Sequence, residues 1–151
     1  MKPTTLRRLI NFWPPFWFNA IRASYISDDF REITAELKLR FYNRNYVGAH
    51  FGGNLFAMTD AWYMLMLMQN LGREYFVWDK KATIDFISPG RGTVTAKFLL
   101  TEDKLAEIRA ATASGEKYLP EFIVEIYNAK QELVARVYKT LYVKKKPPKI
   151  I

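Results

Sequence analysis

From Asn54 to Leu71 the chain is apolar on nearly every side, with Asp60 its only charged residue, and Gly72 follows in a helix-stopping position. A helix that is hydrophobic all round has to be buried. Its apolar run, Leu55 to Met68, falls well short of the ~20 residues a membrane-spanning helix needs. Protein must therefore cover it, and the rest of the chain has to supply that cover.

The cover reads as strands. Between Phe30 and Tyr42, Ile33, Ala35, Leu37, Leu39 and Phe41 alternate with Thr34, Glu36, Lys38, Arg40 and Tyr42, the period of a half-buried strand. A loop from Asn43 to Gly53 leads into the buried helix. Phe76 to Ser88 and Thr93 to Leu100 read as a hairpin turned by Pro89-Gly90-Arg91-Gly92. Thr101, with Glu102 and Asp103 behind it, caps a short helix whose inner face is Leu105, Ile108 and Ala111 and which closes at Gly115. Tyr118 to Tyr127 and Leu133 to Val143 complete the set, joined by a turn near Asn128 to Gln131. The order predicts one α+β domain over residues 1–151, a curved, mainly antiparallel sheet wrapped around one long buried helix. A single sheet of this kind leaves an edge unpaired, which a second copy of the chain would cover.

Composition narrows the function. With no cysteine and one histidine, disulfide frameworks, thiolate metal sites, multi-histidine metal sites and cysteine nucleophiles are excluded; a reducing cytoplasm fits. The formal net charge of +8 suits nucleic acid, an anionic surface or a polyanionic small ligand. Lys144, Lys145, Lys146 and Lys149 account for part of it, in a tail (144–151) that reads as solvated. No strand or helix interleaves basic and aromatic residues in a stripe, so no nucleic-acid partner is expected. Residues 1–20 form a helical, aromatic lead in which Pro14-Pro15 breaks the apolar run too early for a signal peptide, and no membrane partner is expected.

The stretch Asn45-Tyr46-Val47-Gly48-Ala49-His50-Phe51-Gly52-Gly53, with Asp60 seven residues on, carries the chemistry. A carboxylate in an apolar helix bears a desolvation cost that function commonly explains; the alternative is an exposed or capped Asp beside a gap in the sheet. Gly52-Gly53 either lets a ligand approach bare backbone N–H groups at the positive end of a helix, or serves tight packing.

At these residues the chain resembles the hotdog-fold acyl-CoA thioesterases related to the phenylacetyl-CoA thioesterase group. Their motif runs Asn, two residues, Gly, three residues, Gly-Gly and then an Asp in the following helix, as Asn45, Gly48, Gly52, Gly53 and Asp60 do here. More narrowly, the whole chain looks like a little-characterised branch known as a domain of unknown function. The resemblance implies hydrolysis of an acyl-coenzyme A by a homodimer or dimer of dimers, with no cofactor beyond the coenzyme A of the substrate. It implies that the Gly53 N–H polarises the thioester carbonyl, that Asp60 is nucleophile or general base, and that Asn45 orients the carbonyl or water, loop and Asp coming from different subunits. One departure stands out: many relatives carry His directly before the Gly pair, where this chain has Phe51, with His50 one residue earlier.

Asp79 occupies a strand position where such relatives often place a Ser or Thr facing the pocket; it is otherwise part of a solvated edge with Lys80 and Lys81. Arg91 is a candidate for the coenzyme A phosphates, since its fork fits them, or a bland hairpin tip. Phe12, Trp13, Phe16, Trp17 and Phe18, with Met58, Met64, Met66 and Met68, serve either an adaptable acyl pocket or the core. A non-catalytic acyl-CoA-binding protein and a hotdog dehydratase are the competing readings; the Gly-Gly to Asp60 spacing speaks against the dehydratase.

Overall fold

The computed structural model describes residues 1–148, so Lys149 lies outside the described residues. Two short helices lead, α1 (Pro3–Asn11) and α2 (Pro14–Trp17), each with Pro in its first turn, where a missing N–H costs nothing. There follow β1 (Ile21–Ile26), β2 (Glu32–Lys38), α3 (Gly52–Ala57), α4 (Trp62–Leu71), β3 (Tyr75–Phe86), β4 (Thr93–Leu99), α5 (Glu102–Ala111), β5 (Lys117–Tyr118), β6 (Glu121–Tyr127) and β7 (Leu133–Lys145).

The strands make one antiparallel sheet in the order β1-β2-β4-β6-β7-β3, with β5 paired to β7 off that path. Its inward rows, Ile33, Ala35 and Leu37 of β2, Val94, Ala96 and Phe98 of β4, and Val137, Leu141 and Val143 of β7, bury Met58, Trp62, Met66 and Leu67 from the helical segment. Each such side chain contributes roughly 2 kcal/mol of transfer free energy. The α+β class therefore stands, and α5 is capped as expected: Thr101 Oγ1 accepts from the Lys104 N–H at 3.2 Å.

Four expectations are corrected. The buried helix is two helices, because the chain turns at Met58 to Ala61 and Ala61 adopts φ +65°. The carbonyls freed there are taken up by tertiary partners: Trp62 Nε1 donates to Met58 O at 2.7 Å, and Lys139 Nζ to Thr59 O at 3.2 Å. The residues 76–100 form no hairpin. β3 pairs with β7 along nearly its whole length, and β4 pairs with β2 and β6, so Pro89 to Gly92 carries the chain from one edge into the middle of the sheet.

The strand expected to run to Tyr42 ends at Lys38. Asn43, buried, accepts from the Arg40 N–H and donates to Lys38 O and Asn19 O, a local alternative to the ladder that turns Phe41 and Tyr42 into solvent. The strand expected from Tyr118 to Tyr127 is interrupted at Leu119-Pro120. β1, unassigned from the sequence, pairs with β2. At its outer edge Asn11 meets Ala23, its Oδ1 accepting from the Ala23 N–H at 2.7 Å while its Nδ2 donates to Ala23 O at 3.1 Å. Arg7 also donates to Ser24 O.

Candidate functional site

The turn between α3 and α4 delivers Asp60 to the surface. Its side chain is 63% exposed, which corrects the expectation of a carboxylate buried two turns into a helix. The desolvation cost inferred for it is accordingly absent. Asp60 instead lines a cleft of about 380 Å³ between this turn and the edge strand β3, together with Gly53, Phe56, Asp79, Ala82 and Lys139.

A β-bulge shapes the far wall. Asp79 pairs opposite Leu141, Lys81 opposite Thr140, and Lys80 is the extra residue, so Asp79 faces inward while Lys80 and Lys81, both exposed, also line the cleft. The inward carboxylate meets Lys139, which stands in the inward row of β7 and is 2% exposed. Lys139 Nζ lies 2.9 Å from Asp79 Oδ1 and 3.4 Å from Asp60 Oδ1. The Asp79 contact is an ion pair whose angles fall short of a hydrogen bond, so that buried oxygen is held by charge. A buried ammonium thus joins a half-buried acid to an exposed one: it donates to Thr59 O and Asp60 Oδ1 and is paired with Asp79 by charge.

Gly53 brings backbone to the same cleft. The first N–H groups of a helix have no intrahelical partner, and Gly52 and Gly53 stand in the first turn of α3. A methyl at Gly53 would come within 2.4 Å of the Phe51 ring, and one at Gly52 within 2.9 Å of the Phe86 ring, so both glycines also permit close packing.

The preceding loop is a separate unit. Asn45 Oδ1 accepts from the Val47 and Ala49 N–H groups, folding the segment on itself. The segment is latched to the Gly90 to Gly92 turn: the His50 N–H donates to Gly90 O, and His50 Nε2 lies 2.7 Å from Gly92 O. That geometry makes Nε2 the donor and leaves the buried Nδ1 without a partner. Burial is the larger influence on the ring and holds its pKa below 6.5, the Gly92 carbonyl opposing it. Arg91 clamps the same loop, donating to Gly48 O at 3.0 Å and Val47 O at 3.4 Å.

The model of a domain of unknown function, DUF4442, matches residues 4–143. The chain belongs to the DUF4442 family. No curated protein matches this DUF4442 chain. Solved structures share its hotdog fold: the Pseudomonas aeruginosa protein PA5026, a probable thioesterase, is 16% identical with a TM-score of 0.82 over 95% of this chain and 96% of its own. The thioesterase HI1161 of Haemophilus influenzae is 16% identical with a TM-score of 0.70 over 96% and 92%. The PaaI protein from the phenylacetic acid degradation operon of E. coli is 15% identical with a TM-score of 0.62 over 98% and 95%.

Within one DUF4442 chain, then, Asp60, Asp79 and Gly53 share a cleft, while Asn45, His50, Phe51, Gly52 and Arg91 lie outside its lining. Sequence reasoning missed Lys139 of this DUF4442 domain, although the signal was present: a lysine in phase with the inward Ala135, Val137, Leu141 and Val143. Among the described residues no three His, Asp or Glu side chains gather in a metal-binding cluster.

Proposed function

We propose that this protein is an acyl-CoA thioesterase, hydrolysing the thioester of an acyl-coenzyme A to the free acid and coenzyme A. The observation that carries the reading is Asp60: a solvent-open carboxylate in the same cleft as the Gly53 backbone, with an internal ammonium fixing one of its oxygens. The fold shared with PA5026 and HI1161 supports it.

In this reading Asp60 either takes a proton from water as that water attacks the thioester carbon, or attacks the carbon itself to give an acyl anhydride that water then opens. In both routes the C–S bond breaks and coenzyme A departs as thiolate, to be protonated. The Gly53 N–H receives the charge developing on the carbonyl oxygen. Lys139 acts as a positioning residue, and Asp79 fixes Lys139.

The working unit is a homo-oligomer paired through the free edge of β3, with Asn45, His50, Phe51 and Gly52 of one copy meeting the Asp60 cleft of the other. Arg91, whose fork also binds the loop, turns its remaining N–H groups toward coenzyme A phosphate. Such a substrate would place the work in the cytoplasm. Purified protein assayed on a panel of acyl-CoAs, with light scattering for mass, tests this: no hydrolysis of any member overturns the activity, and a monomeric mass overturns the composite site. Binding without turnover is the second reading, favoured by the commitment of Asn45 Oδ1 to two loop N–H groups. Melting temperatures that rise with acyl-CoA in the absence of hydrolysis would select it.

A further inference from the structure

The aromatic lead of the chain remains unused by the site. Of its five aromatics only Phe16 is buried; Phe12, Trp13, Trp17 and Phe18 expose between 45% and 72% of their surface, and Leu9 is exposed beside them. They project from the β1 end of the sheet, opposite the free β3 edge, so pairing through β3 leaves them uncovered. Exposed apolar groups gathered in this density mark an interaction surface.

Two adjoining hollows at this lobe supply the chemistry of the partner. One, of about 460 Å³, is lined by Phe12, Trp17 and Tyr42 together with Arg22, Lys38 and Arg40. The other, of about 430 Å³, shares Phe12 and Arg22 and adds Arg7 and Arg8. Five cations (Arg7, Arg8, Arg22, Lys38 and Arg40) thus surround the aromatics against one carboxylate, Glu36, which already pairs with Arg22 at 2.8 Å.

We propose that this lobe docks on the surface of an anionic lipid bilayer, its Trp and Phe side chains seated at headgroup depth and its cations against lipid phosphate. Trp and Phe beside Arg and Lys are the composition of interfacial anchors, in which apolar burial and attraction to anionic lipid add. A second copy in this place would set five cations against the same five across a two-fold axis, and like charges repel. Nucleic acid would use the aromatics within the hollows for stacking but has no use for Leu9, Trp13 and Phe18, which line neither. The expectation of no membrane partner rested on the lack of a spanning segment; among the described residues no helix is long and apolar enough to cross a membrane, and surface docking requires none. The inference stands apart from the thioesterase reading.

Sedimentation of the full chain with phosphatidylcholine vesicles, with and without about 30% phosphatidylglycerol, tests it. Partition should rise roughly tenfold or more with the anionic lipid and fall when salt is raised from about 0.1 to about 0.5 M. The paired changes Trp13→Ser with Trp17→Ser, and Arg7→Glu with Arg8→Glu, should each lower it roughly tenfold with the melting temperature retained. Should both pairs fail to fold, the lipid and salt dependence of the wild type decides. Equal partition into both vesicles, no partition, or wild-type partition by folded variants overturns the proposal. So do single-stranded oligonucleotide bound in preference to anionic vesicles, which points to nucleic acid, and a wild-type oligomer dissociated by the Trp13→Ser, Trp17→Ser variant, which points to a second copy.

Discussion

The ammonium of Lys139 lies 2.9 Å from the carboxylate of Asp79, both carried inward by neighbouring strands, and the pair is almost shut off from water on the lysine side. Replacing Lys139 by Met strands that acid, and stability should drop by about 1–3 kcal/mol, the cost of a buried polar group deprived of its partner. Adding Asp79→Leu should recover much of the loss, because two apolar side chains can occupy the space of an ion pair. Urea unfolding of the single and double variants measures the coupling; a double variant less stable than Lys139→Met would refute it.

Asp60→Asn should abolish turnover, since an amide can neither attack the thioester carbon nor take a proton from water. Stability should hardly move. The carboxylate is largely exposed, the amide keeps an acceptor oxygen for Lys139, and Asp79 still balances the buried ammonium. Asp79→Asn should do the reverse, lowering stability more than turnover. Kinetics and melting of both variants on one acyl-CoA check this, and an active, folded Asp60→Asn protein would shift the catalytic role to Asp79.

Gly53→Ala separates packing from chemistry. The added methyl presses on the Phe51 ring, which is half exposed and free to turn away, so unfolding should shift by less than about 1 kcal/mol. The same methyl intrudes on the cleft beside the N–H assigned to the carbonyl, so turnover should fall by roughly 10²-fold. Pairing the change with Phe51→Ala should restore stability and leave turnover low.

His50 sets a pH dependence of stability. Its folded pKa lies below the ordinary 6.5, so between those two values the unfolded chain binds a proton that the folded chain refuses. Stability is complete above about pH 6.5 and declines as pH falls toward the folded pKa, by at most about 1.4 kcal/mol per pH unit. Asp29, Glu107 and Glu125, held below the usual carboxylate range mainly by side-chain hydrogen bonds, take part only in more acidic solution. Denaturation from pH 7 to 5 should show the slope in the wild type and a flat profile in His50→Gln. A flat wild-type profile would contradict the buried neutral ring.

Legibility from sequence followed the range of the forces. Period-two alternation in Ile33 to Leu37 and Leu133 to Val143, and the Thr101 cap, are local signals, and the structure carries strands and a capped helix at those residues. The pairing of β3 with β7 joins residues some sixty positions apart, and turn chemistry at Pro89 to Gly92 pointed to the nearer strand instead. Nothing in Met58-Thr59-Asp60-Ala61 announces a break: no Gly or Pro stands there, and the turn is held by Trp62 Nε1 and Lys139 Nζ from beyond it. The motif joined Gly53 and Asp60 in one site but with loop and Asp from different subunits, whereas a single chain brings both to one cleft; the cation between the two acids lies outside the motif, in the inward phase of a distant strand.

The side-chain amide of Asn11 meets both backbone groups of Ala23, in the middle of β1, as one residue of a further strand would. A sheet open along both margins could recruit copies at each and propagate into a fibre; here Asn11 and Arg7 of α1 obstruct the middle of one margin. Backbone pairing is therefore directed to the β3 margin, where it consumes the open edges of both participants and terminates at two subunits.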